Sequence, residues 1–265
     1  MAISAGIALL SGAMAAGAAA ITGIAIGTAF LTAFATSFVL GVALKGLTPK
    51  PNIPSGSNQA NRGYQISSRG SAQDHQIIYG QTRIGGAIIF DAVSGENNKV
   101  LHRIITFTGH EIEEFTTFYF NDEVLTLTTG TDGNGDTYYR PTLATSKDGK
   151  THTRYNSYVR IYLRKGGSEN DTAILSLIQS GVGWTQDHKL QGLAYAYFRM
   201  EFEADSFPNN VPQITAILKG KKIYDPRTDT TVWSDNPALC IRDYLTNAAY
   251  GLGDLEESID DTAVT

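Results

Sequence analysis

The sequence predicts a mainly β (α+β) protein with a few short helices, preceded by an apolar N-terminal helical segment. Three observations predict it. Beyond residue 75, runs rich in β-branched and aromatic residues are cut at short intervals by Gly, Asn and Asp turns. Several of these runs alternate apolar and polar residues, as half-buried strands do. The first charged residue of the chain is Lys45, so everything before it is built from apolar, small or hydroxyl-bearing side chains.

Taken in order, residues 2–44 come first. A membrane-crossing helix needs about 20 apolar residues, and this run is long enough for one generous span or two short ones. Small residues recur four apart at Ala13/Gly17, Ala19/Gly23 and Gly23/Gly27, which lets helix backbones approach closely. A secretion signal wants a basic start, and "MAISAGIALL" has none. An all-round apolar helix buried in other protein satisfies the same composition, so a span, a signal and a buried segment are the three readings. The stretch "LTPKPNIPSGSNQANRGYQISSRGSAQDH", residues 47–75, is poor in large apolar residues and rich in Pro, Gly and Ser, and reads as a linker or wrapping arm.

Strands follow at 75–80, 86–93, 100–109 and 113–122, with "YGQTRIGG" (79–86) read as a turn. "VLTLTTG" and "TYYRPTL" are joined by the Gly-rich turn "TDGNGD". In 157–166, Val159, Ile161 and Leu163 alternate with Arg160, Tyr162 and Arg164, a half-buried strand. Residues 192–205 do the same over a longer span, and 213–225 close the set around a Gly220–Lys221 turn. Two helices are expected. One spans 169–181 with Asp171 as N-cap, Gly181 at its end, and Ile174, Leu175 and Ile178 on one side. The other spans 234–247, capped around Ser234 to Asn236, with Pro237 in its first turn and Ala238, Ile241, Leu245 and Cys240 as its apolar face.

Composition narrows the function. The chain has 265 residues, a formal net charge of -5 and 18% charged residues, a balance that gives no electrostatic reason to expect nucleic acid. Cys240 is the lone cysteine, so an intrachain disulfide and a cysteine-built zinc site are both excluded. Asp132, Asn134 and Asp136 have the alternate spacing of a calcium loop, but the position of its bidentate Glu is Leu143. His110 lies beside Glu111, Glu113 and Glu114; neighbours on a strand face opposite ways, so the stretch is read as a solvated turn carrying structural hydrogen bonds. No catalytic, cofactor or metal residues are assigned, no small-molecule substrate is implied, and the chain is read as not an enzyme.

The segment "GKKIYDPRTDTTVWSDNPALCIRDYLTNAAYGLG", residues 220–253, resembles the N-terminal hub region of the tail-tip, or host-specificity J, family of lambda-like long-tailed phages. Ile223 to Arg227, Trp233 to Ala238, Asp243 to Leu245 and Tyr250 to Gly253 fit that pattern as they stand. Residues 77–125, including "IIYGQTRIGGAIIF" and the Gly-His-Glu turn, look like the start of many such proteins. The resemblance implies tail-hub β domains over 76–255, with an inserted stretch over 126–190. Residues 1–48 would form the apolar segment, 49–75 the arm, and 256–265 a chain end continuing in a longer parent protein. It further implies a virion protein, made in the host cytoplasm. Expected with it are a homotrimer, contact with distal tail and ring proteins and the tape-measure protein, DNA only in transit, and host-membrane contact through residues 2–44 at infection. The alternative is a membrane-anchored β-domain binding protein of bacterial or prophage origin.

Overall fold

The computed structural model describes residues 67, 74–208 and 210–261. The expectations for the apolar segment 1–48, and nearly all of those for the 49–75 arm, lie outside the described residues. The described residues fall into two units, the first of them everything but Gly95–Lys99. The description below is of the first.

Its strands are β1 (Gln81–Ile84), β2 (Ala87–Ser94), β3 (Val100–Thr108), β4 (Glu114–Phe120), β5 (Glu123–Thr131) and β6 (Thr137–Thr145). They continue with β7 (Thr151–His152), β8 (Val159–Arg164), β9 (Ala194–Glu201), β10 (Ile214–Lys219), β11 (Lys222–Asp225) and β12 (Thr230–Trp233). The helices are α1 (Leu175–Gln179) and α2 (Pro237–Thr246). The protein is mainly β, as the residue patterning predicts.

One antiparallel sheet runs in the order β1-β10-β4-β5-β6-β8-β9-β3-β2, with β7 on β6, and β11 and β12 make a separate ribbon. The order forces curvature. A flat sheet with strands about 4.8 Å apart would hold β1 and β2 about 38 Å from each other. Only Gly85 and Gly86 join them, a reach of roughly 11 Å. The sheet therefore curls until its two edges meet. Bulges at Ile88/Phe90, Thr106/Thr108, Thr126/Leu127 and Ile217/Leu218 supply the bend. Gly86 sits at the joint with φ +64, and a Cβ there would lie 2.6 Å from the carbonyl of Thr106.

Curling brings aromatic residues from non-adjacent strands together inside. Phe118 on β4 lies 5.9 Å from Phe198 on β9 and 6.2 Å from Phe107 on β3, centroid to centroid. Both contacts are edge-to-face, the geometry aromatic quadrupoles favour. Arg103 and Asp91 form a bidentate pair at 2.7 and 2.8 Å across β3 and β2, which lets the charges tolerate burial. A second apolar layer covers the other face of β8, β9 and β3: Tyr162, Tyr197 and Ile104 pack under Ile174, Leu177 and Trp184.

That second layer corrects the half-buried reading of 157–166, since Tyr162 is as inaccessible as Val159 and Ile161. Four further expectations are revised. The first strand is Gln81–Ile84 rather than 75–80, because Gly80 at φ +62 turns the chain before it pairs with β10; the middle four residues of "YGQTRIGG" are thus strand and not turn. The strand expected at 192–205 ends at Glu201. The helix expected at 169–181 breaks into a short 3-10 turn, Ser168–Asp171, and α1. Thr172 and Ile174 are extended, so Asp171 caps nothing on α1, although Gly181 does follow its end at φ +71. Helix α2 matches its signals closely: the Asn236 side chain accepts from Ala238 N–H at 2.9 Å and Pro237 opens the helix. Its inward face is different from the one expected, however, because Ile241 points outward while Leu239 and Arg242 are buried.

Candidate functional site

A polar cluster lies where α2 and the β11–β12 ribbon meet the sheet. The chain enters it at Ile78 and Tyr79, just before β1. Lys221 N–H donates to the Ile78 carbonyl at 2.8 Å, and Gly220 N–H to the Gly80 carbonyl at 2.7 Å. A Cβ on Gly220 would stand 2.0 Å from that Ile78 oxygen, so the approach requires glycine. Gly251 is bound the same way, with 1.8 Å between a built Cβ and the Tyr244 carbonyl oxygen.

Asp243, on α2, is the hub of the cluster. Its Oδ2 accepts from the Tyr79 hydroxyl at 2.5 Å and the Tyr250 hydroxyl at 2.6 Å, and its Oδ1 accepts from Lys221 Nζ at 2.6 Å. Lys221 Nζ also lies 5.4 Å from the Tyr250 ring centre. Burial alone would push the Asp243 carboxyl up, but hydrogen bonds from Lys221, Tyr250 and Tyr79 outweigh it and hold it below the usual carboxylate range. Burial would likewise lower the Lys221 ammonium, and the bond to Asp243 raises it instead. Both tyrosines are pushed up, first by burial and then by donating to a carboxylate.

His110 supports the chain beside this cluster. Its Nε2 accepts from Ile78 N–H at 2.9 Å, which leaves Nδ1 to carry the proton and donate to the Glu111 carbonyl at 2.7 Å. Burial lowers its pKa and keeps it neutral. The structural hydrogen bonds expected of this turn are present, but its solvation is corrected at His110: at 9% exposure the residue is inside. The neighbouring acids do face outward, with Glu111 pairing to Lys222 at 2.9 Å and Glu114 to Lys219 at 2.6 Å.

Chemically this is a fastener. Asp243 is ionised with both oxygens occupied, Lys221 is charged, and His110 has both nitrogens engaged. Two clefts, of about 400 Å³ beside Lys222 and Trp233 and about 440 Å³ between Phe115 and Arg164, open nearby. The lysines at the first, Lys219 and Lys222, are already held by glutamates.

The structure brings Asp132 and Asp136 together, but aims them at protein donors. Asp132 Oδ1 accepts the N–H groups of Asn134 and Asp136 at 2.9 and 3.0 Å, closing the turn. Asp132 Oδ2 takes the Tyr162 hydroxyl at 3.0 Å, and Asp136 Oδ2 takes Ser176 N–H at 2.9 Å. The turn so ties the β5–β6 hairpin to β8 and to α1. Among the described residues no group of three or more His, Cys, Asp or Glu side chains is placed to hold a metal.

The comparisons with known proteins bear on what the fastener belongs to. The chain is similar to a phage baseplate hub protein. It is 27% identical over 212 residues to the baseplate hub protein pb3 of Escherichia phage T5. The match covers 66% of this chain and 22% of that protein, so the chain spans about a fifth of its relative's length. Among solved structures, the virion of a native gene transfer agent particle aligns with a TM-score of 0.37 and 13% identity, covering 72% of this chain and 38% of that one. No family model matches the chain.

Tyr79, His110, Lys221, Asp243 and Tyr250 lie in separate motifs of the sequence, and nothing in the sequence joins them. The signal was that each sits in a segment carrying the resemblance, and the structure makes those segments one cluster. A second network was missed outright. His102 bridges Ser94 Oγ and the Tyr197 hydroxyl, each at 2.7 Å. Burial, aided by Arg199, pushes its pKa down to about 4.

Proposed function

We propose that the chain is a structural, non-enzymatic protein of a phage tail tip, acting as a hub that closes the tail tube. The similarity over 212 residues to a protein named as a baseplate hub is the observation that carries this reading. The cluster at Asp243 supports it, because the residues that carry the resemblance to the tail-tip J family serve to fasten elements together rather than to hold a substrate. In this reading the chain forms a homotrimer on the tube axis, meets the distal tail ring and tape-measure protein, and takes part in host attachment and DNA ejection. The domain plan of an apolar segment, an arm and hub domains with an insertion over 126–190 belongs to the same proposal. Lipid contact through residues 2–44 comes at infection.

The apolar run 2–44 favours a second reading, a β domain anchored in the membrane of a bacterium or prophage host. Among the described residues, no helix is long and apolar enough to cross a membrane. Disrupting the gene in its phage separates the two. The hub reading expects filled heads without working tails, restored when the chain is supplied in trans; complete, infectious particles would overturn it.

A further inference from the structure

The strand register assembles a row of arginines. Arg160 on β8 lies directly beside Arg199 on β9, and Arg199 beside His102 on β3. The Tyr139–Ile161 pairing of β6 with β8 sets Arg140 next to Arg160. Three guanidinium-bearing residues thus sit side by side across three neighbouring strands, on strands about 4.8 Å apart. Like charges opposite one another destabilise a sheet. Among the described residues, only Arg199 of the three is offset by an acid in reach, Glu201 at 3.6 Å. Arg160 stacks 4.9 Å from the Tyr138 ring centre instead, and Arg140 is exposed. Among the described residues, neither Arg140 nor Arg160 forms an ion pair with a carboxylate. His102, at the end of the row, is held neutral and adds no charge of its own. A net-acidic chain that concentrates cationic side chains in this way has a surface suited to carboxylates.

The chain itself carries the complement. Residues 252–261, "LGDLEESIDD", place Asp254, Glu256, Glu257, Asp260 and Asp261 within eight positions. Leu252 and Leu255 beside them are 64% and 67% exposed, an apolar handle with no cover of its own. Asp261 is tied back to Arg242 at 2.5 Å, which holds the base of this segment in place while Glu256 and Glu257 stay exposed.

We propose that the row Arg140–Arg160–Arg199 is the docking face for the acidic segment 252–261 of a second copy of this chain, joining copies head to tail. Two different surfaces meeting in this way make a heterologous contact, which closes into a ring when the rotation between copies allows. The proposal rests on the self-assembling hub reading above and names the contact that would build it. Arginine suits the role because its planar fork binds carboxylates in two-point fashion.

Charge reversal tests it on the full chain in mild detergent, with mass read by light scattering and fold by circular dichroism. Both R140E/R160E and E256K/E257K should weaken self-association at least tenfold, and 0.5 M salt should weaken the wild type. The combined four-residue swap should restore assembly, which also guards against a variant that merely misfolds. Assembly unaffected by either swap overturns this contact while leaving the hub reading, tested by phage genetics, untouched. Assembly unaffected by R140E/R160E while that variant loses binding to heparin or anionic lipid vesicles also overturns it, and assigns the row to a polyanion.

Discussion

The aromatic interior and the Asp243 cluster fasten the molecule by different physics. Inside the curled sheet, Phe107, Phe118 and Phe198 join strands far apart in the sheet order through area and edge-to-face geometry. At the cluster, Tyr79, Lys221, Asp243 and Tyr250 join elements far apart in sequence through a single ionised carboxylate. The first is non-directional and tolerates a change of shape better than a loss of volume. The second is directional and fails when one partner is removed, because the others remain buried and unpaired. The interior therefore sets the stability of the unit, and the cluster sets where α2 and the β11–β12 ribbon sit.

The sharpest break in this contrast is Phe198→Ala, which removes a fully buried ring from the interior and should cost about 3–5 kcal/mol. Denaturant unfolding should show the whole sheet losing stability together. Next comes Asp243→Ala, expected to cost roughly 2–3 kcal/mol because it strands the Tyr79 hydroxyl and the Lys221 ammonium. Hydrogen exchange should speed up on α2 and the ribbon while β3 and β9 stay protected. Uniform acceleration in both regions would collapse the distinction.

Acid should act on the buried histidines and on Asp243 in different windows. His102 and His110 have pKa values lowered by burial, so the unfolded chain binds protons first as pH falls below about 6.5. Their contribution is complete above that value and is lost progressively on the way down to about 4 for His102. Asp243 is depressed instead, so its contribution persists through this range and is lost only as pH falls below the ordinary carboxylate value of 3.8. Melting temperature measured from pH 7.5 to 4.5 should fall in wild type, and fall less steeply in His102→Asn. The smallest effect is expected from Asp132→Ala, about 1 kcal/mol from lost turn and Tyr162 hydrogen bonds, seen in thermal melts.

Local chemistry made some elements legible and tertiary cover hid others. Asn236 and Pro237 announce α2, since capping and a missing N–H act within one turn. The Gly220–Lys221 turn is visible for the same reason. Tyr162 and Tyr197 are polar-tipped residues on strands, and nothing nearby in sequence says that residues 174–184 fold over them. Asp171 looks like an N-cap until Thr172 and Ile174 extend to place Ile174 in that second layer. The inward face of α2 misleads because its polar members, Arg242 and Asp243, are the ones in use. The cluster is the same lesson on a larger scale: its residues were all within quoted motifs, but only the curl of the sheet brings the motifs together.

The most direct test of the hub reading is to locate the chain on the particle. Gold-labelled antibody raised against the exposed loop 147–150 should decorate purified virions at the distal end of the tail in electron micrographs. Label confined to the envelope of the producing cell, with bare tails, would contradict it.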